Sequence, residues 1–270
     1  MMSSGYFKPN RFYHSWVPEK MDKVIIIFHG LGEHSGRYGH VAEFFNQHGY
    51  GVFVPDHIGH GHTEGKRGHV DSFADYLDNA RLFIDFVEQQ TQIHEFVLIG
   101  HSLGAVIAHL YTLDNDTRIE RLVLSSPGYE KLEKVGAIKH SLGMLFSSLF
   151  PTLLLSNELS PEQVSRDPAV VEDYANDPLN HDRVSTRFYT SFLSAIKQIN
   201  KNPTVSIPVL FVVAGNDQIV SPAKTRSIFE AMLSKQKDYI EYPELYHEIF
   251  NEKERQTVFK DVLNWLQTQA

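Results

Sequence analysis

One ten-residue stretch, residues 96–105, constrains the fold of this chain more than any other. It reads FVLIGHSLGA, an apolar β-prone run that ends at Gly-x-Ser-x-Gly and continues into residues that favour a helix. This layout predicts a nucleophile elbow, a tight strand-to-helix turn that projects Ser102 away from the backbone. Gly100 and Gly104 flank a crowded backbone where a Cβ would collide, and Ser102 itself must adopt a strained conformation.

Strand and helix patterns alternate on both sides of the elbow. Besides the elbow strand, the strand patterns cover residues 11–17 (a short edge strand or hairpin), 23–28, 50–54, 121–126, 208–214 and 238–242. The helical patterns cover residues 38–47, 72–90, 223–233 and 252–267. This alternation predicts an α/β architecture, a mostly parallel sheet with helices on both faces.

The regular alternation lapses between residues 128 and 206, where helical patterns, including one at 188–199, occur without a convincing strand. We therefore expect a core of residues 1–127 and 207–270, with a helical cap at 128–206 inserted after the sixth strand. Apolar side chains recur in the cap at three- and four-residue steps, on one side of a helix that Pro151 bends or ends. They are Leu142, Leu145, Phe146, Leu149, Phe150 and Leu153.

The apolar stripe of the cap has two interpretations. We expect most of its side chains to pack against the body of the protein. The alternative is that part of the stripe lines an acyl channel or contacts a lipid surface. Both are compatible, since a helix that covers a pocket turns one face towards it. The candidate substrate-contacting residues are Leu142, Leu145, Phe146, Leu149 and Phe150.

Composition excludes several classes of function. The 25 basic and 33 acidic side chains give a formal charge of -8, which argues against nucleic-acid binding and against electrostatic docking on anionic membranes. The chain has no cysteine, so disulfides, thiolate metal sites and cysteine nucleophiles are excluded. The N-terminal residues lack a secretory signal pattern, and no apolar run is long enough to span a bilayer. A cytoplasmic protein is the expectation.

The serine of the elbow needs a base, and the base needs an acid to orient it. In sheet hydrolases of this type the chain order is serine, then Asp or Glu, then His. Asp217 directly follows a late strand, and His247 lies between the last strand and the last helix. Because loops at the carboxyl ends of parallel strands converge, we predict the catalytic triad Ser102, Asp217 and His247. We expect the side chain of His101 to point elsewhere.

Acyl transfer also needs donors for the developing oxyanion. One is the backbone N–H of Leu103, which directly follows the nucleophile and lies near the positive end of its helix. The other is expected from the loop HGLG at 29–32, where we choose the N–H of Leu31. A buried pair between Glu33 and Arg37 is a hypothesis for how this loop is held in place.

Three motifs together carry a family resemblance. They are HGLGEHSGRY at 29–38, DHIGHGHTEG at 56–65 and GHSLG at 100–104. The chain resembles the monoacylglycerol lipase and lysophospholipase family of α/β-hydrolases from about residue 23 to the closing helix. The resemblance implies a serine esterase that cleaves one fatty acyl chain from a glycerol-based or lysophospholipid substrate. It also implies that Leu31 and Leu103 form the oxyanion hole and that the insertion caps an acyl tunnel.

The Gly- and His-rich loop invites a rival interpretation as a metal site. It contains His57, His60, His62 and His69. The pattern lacks carboxylate partners on a supporting helix, and glycines between histidines favour a tight turn. We therefore predict a structural loop, no metal and no cofactor.

Several alternatives stay open on the sequence alone. A short-chain carboxylesterase, a thioesterase or a prolyl-type peptidase would keep the same triad, and a non-catalytic binding or scaffold protein would keep only the fold. The expected partner is a lipid-like acyl ester, with transient contact between the cap and a membrane surface, hence peripheral association, as a further option. Acyl length, head group and oligomeric state do not follow from the sequence.

Overall fold

The computed structural model describes residues 1–131 and 136–268, in which ten strands and eight α-helices are found. The strands are β1 (Met2–Lys8), β2 (Arg11–Trp16), β3 (Lys23–Phe28), β4 (Tyr50–Pro55), β5 (Phe96–His101), β6 (Ile119–Ser125), β7 (Leu154–Ser156), β8 (Arg183–Ser185), β9 (Val209–Ala214) and β10 (Lys237–Tyr242). The helices are α1 (Gly39–Asn46), α2 (Ala74–Thr91), α3 (Leu103–Leu113), α4 (Ala137–Leu149), α5 (Pro168–Asn176), α6 (Thr186–Lys201), α7 (Pro222–Ala231) and α8 (Arg255–Thr268).

Eight of the strands form one sheet in the order β1-β2-β4-β3-β5-β6-β9-β10. The six strands from β4 to β10 in this order run parallel, and β2 and β1 extend the sheet antiparallel at one edge. The elbow strand β5 lies in the middle, between β3 and β6. The predicted α/β class and mostly parallel sheet are therefore confirmed.

Buried side chains alternate between two cores, one on each face of the sheet. In β3, Ile25 and Ile27 pack with α1 and α8, whereas Ile26 and Phe28 pack on the opposite face with α2, α3 and α6. Successive residues of a strand point to opposite faces, so a continuous apolar run is what a strand covered on both sides requires. This two-sided packing fixes the carboxyl ends of the parallel strands at one edge.

The insertion leaves the sheet after β6 and returns at β9, which pairs directly with β6. It holds α4, α5 and α6, and α6 packs on the core through Phe188, Ile196 and Ile199. Two parts of the predicted units, residues 132–135 of the cap and 269–270 of the core, lie outside the described residues. Within residues 1–131 and 136–268, no helix combines the length and the apolar character that a bilayer-spanning segment requires.

Of two further strand pairs, one was expected and one was not. β1 pairs with β2 as a hairpin at the sheet edge, which is one of the two options predicted for residues 11–17. In the insertion, β7 and β8 pair antiparallel over three residues each, which makes the expectation of a strand-free segment wrong. β7 is largely exposed, β8 runs from the exposed Arg183 to the buried Ser185, and neither shows the apolar alternation by which a half-buried strand is predicted.

Candidate active site

The nucleophile elbow is formed as the sequence predicts. Ser102 lies between β5 and α3 with φ of 53° and ψ of -113°, a conformation that side-chain-bearing residues rarely adopt. A Cβ at Gly104 would lie 2.0 Å from the carbonyl oxygen of Phe28, and one at Gly100 would lie 2.4 Å from the carbonyl oxygen of Gly104. Both glycines therefore permit the close approach of α3 to the neighbouring strands.

Asp217 and His247 meet at the carboxyl edge of the sheet. The Nδ1 atom of His247 donates to Oδ2 of Asp217 over 2.7 Å, and both side chains are buried. The other carboxylate oxygen accepts from the backbone N–H groups of Ile219 and Val220, at 2.8 and 2.9 Å. Because a carboxylate only accepts, the proton of the neutral imidazole lies on Nδ1, and Nε2 carries the lone pair that a general base needs.

The electrostatic surroundings favour the protonated form of His247. Burial lowers the pKa of His247, but the charge and hydrogen bond of Asp217, together with the charges of Glu248 and Glu33, outweigh burial and raise it above its ordinary value. A base that gains a proton during the reaction is stabilised by this arrangement.

The loop after β3 lies against the nucleophile. A Cβ at Gly30 would lie 3.3 Å from the Cβ of Ser102, and the N–H of Gly30 donates to Oε1 of Glu33 over 2.6 Å. Among the groups that the structure describes, the amides of Leu31 and Leu103 have no hydrogen-bond acceptor. Both amides therefore retain the donor capacity that an oxyanion hole uses.

A buried charge network joins this loop to the loop of the base. Arg37 pairs with Glu33 at 2.9 Å and with both carboxylate oxygens of Glu248 at 2.7 Å each. The three side chains are 11%, 3% and 5% exposed, in that order. The Tyr38 hydroxyl also donates to Glu33, over 2.9 Å. The hypothesised Glu33–Arg37 pair is thereby confirmed, and the network extends to the residue that follows His247.

Glu248 is a site residue that the sequence analysis missed. It lies 211 residues from Arg37 in the chain, and its only sequence signal was its position directly after the predicted base. Burial alone would raise the pKa of Glu248, but the charge of Arg37 and its hydrogen bonds lower it. The carboxylate is therefore ionised at neutral pH and contributes a negative charge beside His247.

His101 faces the base, and the expectation that it points elsewhere is wrong. Its ring centroid lies 4.9 Å from that of His247, and its Nδ1 lies 3.2 Å from the hydroxyl of Ser125. Burial, followed by the charge of His247, lowers the pKa of His101 to about 3. His101 is therefore neutral. It packs against the ring of His247 without taking up a proton in its place.

The histidines of the Gly- and His-rich loop bind backbone and side-chain groups of the protein. His57 donates from Nε2 to the carbonyl of His29 over 3.0 Å, and His60 donates from Nδ1 to a carbonyl two residues earlier. His69 bonds to a serine hydroxyl of the insertion, and His62 is exposed. The described part of the chain contains no group of three or more potential ligands arranged for a metal ion.

Most of the apolar stripe on α4 faces outwards. The expectation that these side chains pack against the body of the protein is wrong, because the opposite face of α4, with Gly143 and Ser147, contacts α6. Periodicity identified a one-sided helix but not the side that is covered. Phe146 is half-buried, and the exposed members of the stripe with their exposed fractions are Leu142 (45%), Leu145 (52%), Leu149 (60%), Phe150 (59%) and Leu153 (40%).

Similar proteins are known from both sequence and structure. The family described as serine aminopeptidase, S33 matches residues 19–254. Phospholipase YtpA of Bacillus subtilis is 33% identical over 249 residues, or 91% of this chain and 95% of its own. Monoacylglycerol lipase of Mycolicibacterium smegmatis is 29% identical over 257 residues, or 94% and 91%. The crystal structure of Paleococcus ferrophilus monoacylglycerol lipase superimposes with a TM-score of 0.87 at 32% identity, covering 96% and 99% of the two chains.

Removal of the central cation should destabilise the site. Arg37→Met leaves two buried carboxylates without a counter-charge, and we expect the free energy of unfolding to fall by about 3–5 kcal/mol in urea denaturation, with slower turnover. Arg81→Met is the control, because Arg81 is half exposed and lies 3.7 Å from each of its two acidic partners, Asp78 and Asp114, so its loss should cost less than about 1 kcal/mol. Equal stability of the two variants would contradict a structural role for the network.

The pH dependence of kcat/KM should depend on the negative charge of Glu248 beside His247. The base works in its neutral form, so kcat/KM should fall as the pH drops through the raised pKa of His247. Glu248→Gln removes a negative charge that raises this pKa, and the acid limb should move to lower pH. Glu254→Gln, on an exposed carboxylate paired with Arg166, should leave the limb in place. An acid limb that is identical in all three proteins would refute the electrostatic coupling.

Proposed function

The chain belongs to the serine aminopeptidase S33 family of α/β-hydrolases, and we propose that it cleaves a single fatty acyl ester, as in a monoacylglycerol or a lysophospholipid. Its class is that of the serine ester hydrolases, which is also the class of its relatives by sequence and structure. The observation that carries the proposal is the buried Asp217–His247 hydrogen bond at the sheet edge where the elbow presents Ser102.

The proposed first half-reaction forms an acyl-enzyme. The hydroxyl of Ser102 attacks the ester carbonyl while Nε2 of His247 takes its proton. Asp217 holds the imidazole in the tautomer with the proton on Nδ1. The amides of Leu31 and Leu103 donate to the oxyanion of the tetrahedral intermediate, which in comparable sites is worth about 3 kcal/mol per donor. The protonated His247 then gives its proton to the departing alcohol.

The proposed second half-reaction releases the fatty acid. Water takes the place of the alcohol, His247 removes its proton, and the resulting hydroxide attacks the acyl carbonyl. The same two amides stabilise the second tetrahedral intermediate, which collapses to the fatty acid as His247 returns its proton to the oxygen of Ser102. Every proton in this cycle moves through side chains of the chain itself, so the proposal needs no cofactor.

Residues 128–206 are proposed to act as a cap over the sheet core of 1–127 and 207–270. The outward stripe of α4 supports contact between this cap and a membrane surface, because contiguous exposed apolar side chains mark interaction surfaces. The net charge of -8 disfavours electrostatic attraction to anionic lipid, so apolar insertion would supply the binding. A cytoplasmic enzyme with peripheral membrane association fits these features and the absence of cysteine.

Acyl preference tests the proposed substrate class. In a series of monoacylglycerols from C4 to C18, we expect kcat/KM to rise with chain length because each buried methylene adds about 0.8 kcal/mol of transfer free energy. Ser102→Ala should abolish both hydrolysis and labelling by a fluorophosphonate probe. Preference for short soluble esters, or for an aminoacyl anilide, would overturn the lipase proposal. An unlabelled Ser102 in the wild-type protein would overturn every serine-hydrolase interpretation.

The stripe on α4 should govern vesicle binding. The double variant Leu145→Ser, Leu149→Ser removes two exposed leucines, and we expect its partition coefficient onto phosphatidylcholine vesicles to fall at least about tenfold. Leu233→Ser is the matched control, since Leu233 is 82% exposed but lies outside the insertion, and its partitioning should equal that of the wild type. Equal sedimentation of all three proteins with vesicles would contradict membrane contact through the cap.

A further inference from the structure

A short segment of the insertion binds both loops that carry the proposed acid and base. The acid loop (residues 215–221) follows β9 and holds Asp217, and the base loop (residues 243–254) follows β10 and holds His247. Four consecutive residues of the insertion, 163–166, each form a hydrogen bond with one of these loops, and we call them the docking segment. The bonds run from Nε2 of Gln163 to the carbonyl of Gln218 (3.1 Å), from the N–H of Glu248 to the carbonyl of Val164 (2.8 Å), from the hydroxyl of Ser165 to the carbonyl of Asn251 (3.3 Å) and from Nε of Arg166 to Oε1 of Glu252 (3.1 Å).

Val164 lies between the two loops. Its side chain is buried in a small apolar cluster with Ile219 and Val220, and the amides of these two residues hold Oδ1 of Asp217. The carbonyl of Val164 accepts from Glu248, the residue that directly follows the base. One residue of the insertion therefore contacts the immediate neighbours of both the acid and the base.

Glu252 ties the base loop to the docking segment from the other side of His247. Its side chain is fully buried, and Oε1 accepts from the N–H of Tyr246 over 2.9 Å. The same oxygen accepts from the N–H and from Nε of Arg166, over 3.2 and 3.1 Å. Hydrogen bonds to an ionised group are about twice as strong as those between neutral groups. Because Tyr246 directly precedes His247, this carboxylate fixes the backbone at the base.

The base loop depends on such contacts because it follows an edge strand. Among the strands that the structure describes, β10 has β9 as its one neighbour in the sheet. The ladder therefore fixes the start of the base loop from one side only. The bond between His247 and Asp217 is 2.7 Å long, and a shift of about 1 Å between their loops would take it out of hydrogen-bond range.

We propose that Arg166 and Glu252 are positioning residues, through which the docking segment holds His247 against Asp217. The insertion then has a part in the chemical step besides covering the sheet edge. This inference rests on the proposed function, in which His247 is the base. It is separable from the choice of lipid substrate, because the triad serves any ester that reaches Ser102.

Hydrolysis of two esters of different size tests the positioning role. Monooleoylglycerol needs room for a long acyl chain, whereas para-nitrophenyl acetate does not. Arg166→Met leaves the carboxylate of Glu252 without its cation, and we expect kcat/KM to fall about tenfold for both esters because the base is misplaced. Glu252→Gln keeps an oxygen for the Tyr246 amide and removes the charge that attracts Arg166, so a smaller fall of about threefold is expected for both esters.

Proton NMR gives a readout that loss of stability alone does not move. The Nδ1 proton of His247 lies in a short hydrogen bond to Asp217 and should resonate far downfield, with its assignment made by its absence in His247→Ala. In folded Arg166→Met we expect this signal to broaden, because a less constrained base loop exchanges the proton with water faster.

The matched control is Arg183→Met, the same substitution on another arginine of the insertion. Arg183 is 55% exposed and pairs with Asp182, so both rates and the downfield signal should equal those of the wild type. Circular dichroism identifies the variants that are folded at the assay temperature, and if Arg166→Met is not folded, Glu252→Gln decides.

The possible failures of the test are distinguishable. Folded variants with wild-type rates and an unchanged downfield signal overturn the positioning role alone. A fall confined to monooleoylglycerol also overturns it, because the docking segment would then shape the lipid site and not the triad. A wild-type enzyme that cleaves the acetate but not monooleoylglycerol overturns the proposed substrate and leaves the positioning role to the acetate data. A wild-type enzyme that cleaves neither ester overturns the proposed function and the positioning role with it.

Discussion

The close approach of α3 to the end of β3 is the constraint on which the rest of the site depends. At Gly104 the helix passes so near the carbonyl of Phe28 that no side chain fits, and the turn before it holds Ser102 at a positive φ. The same approach brings Gly30, two residues beyond β3, against the serine. One packing contact thus places both Ser102, the proposed nucleophile, and the loop that is proposed to supply an oxyanion donor.

Electrostatics joins the two loops that packing brings together. Arg37 lies between Glu33, which accepts from the oxyanion loop, and Glu248, which follows the base. A lone buried charge is costly, but a cation shared by two carboxylates with several hydrogen bonds is compensated. The excess negative charge of the network adds to that of Asp217 and raises the pKa of His247. The network therefore favours the imidazolium form of His247, which the proposed acyl transfer requires.

Local patterns predicted the sheet, its helices and the residues that meet at its edge. The elbow at 96–105 and the buried run at 23–28 carry strong signals because glycines and β-branched residues have few alternatives there. Contacts between distant segments leave no comparable local pattern in the sequence. The clearest case is the contact between Glu248 and Arg37, which are 211 residues apart in the chain. The outward orientation of the apolar face of α4 was also not predicted. Periodicity shows that the apolar side chains lie on one side of the helix, but not which side other elements cover. Tertiary packing determines both the contact of Glu248 with Arg37 and the face of α4 that is covered.

In the proposed mechanism Ser102 carries the fatty acyl group, and a direct measurement can detect it there. The enzyme is mixed with monooleoylglycerol, quenched in acid within milliseconds and digested, and the peptides are analysed by mass spectrometry. We expect the peptide containing Ser102 to gain the mass of one oleoyl group and to lose it when the reaction runs to completion. Oleate release with no acylated Ser102 peptide at any quench time would contradict it.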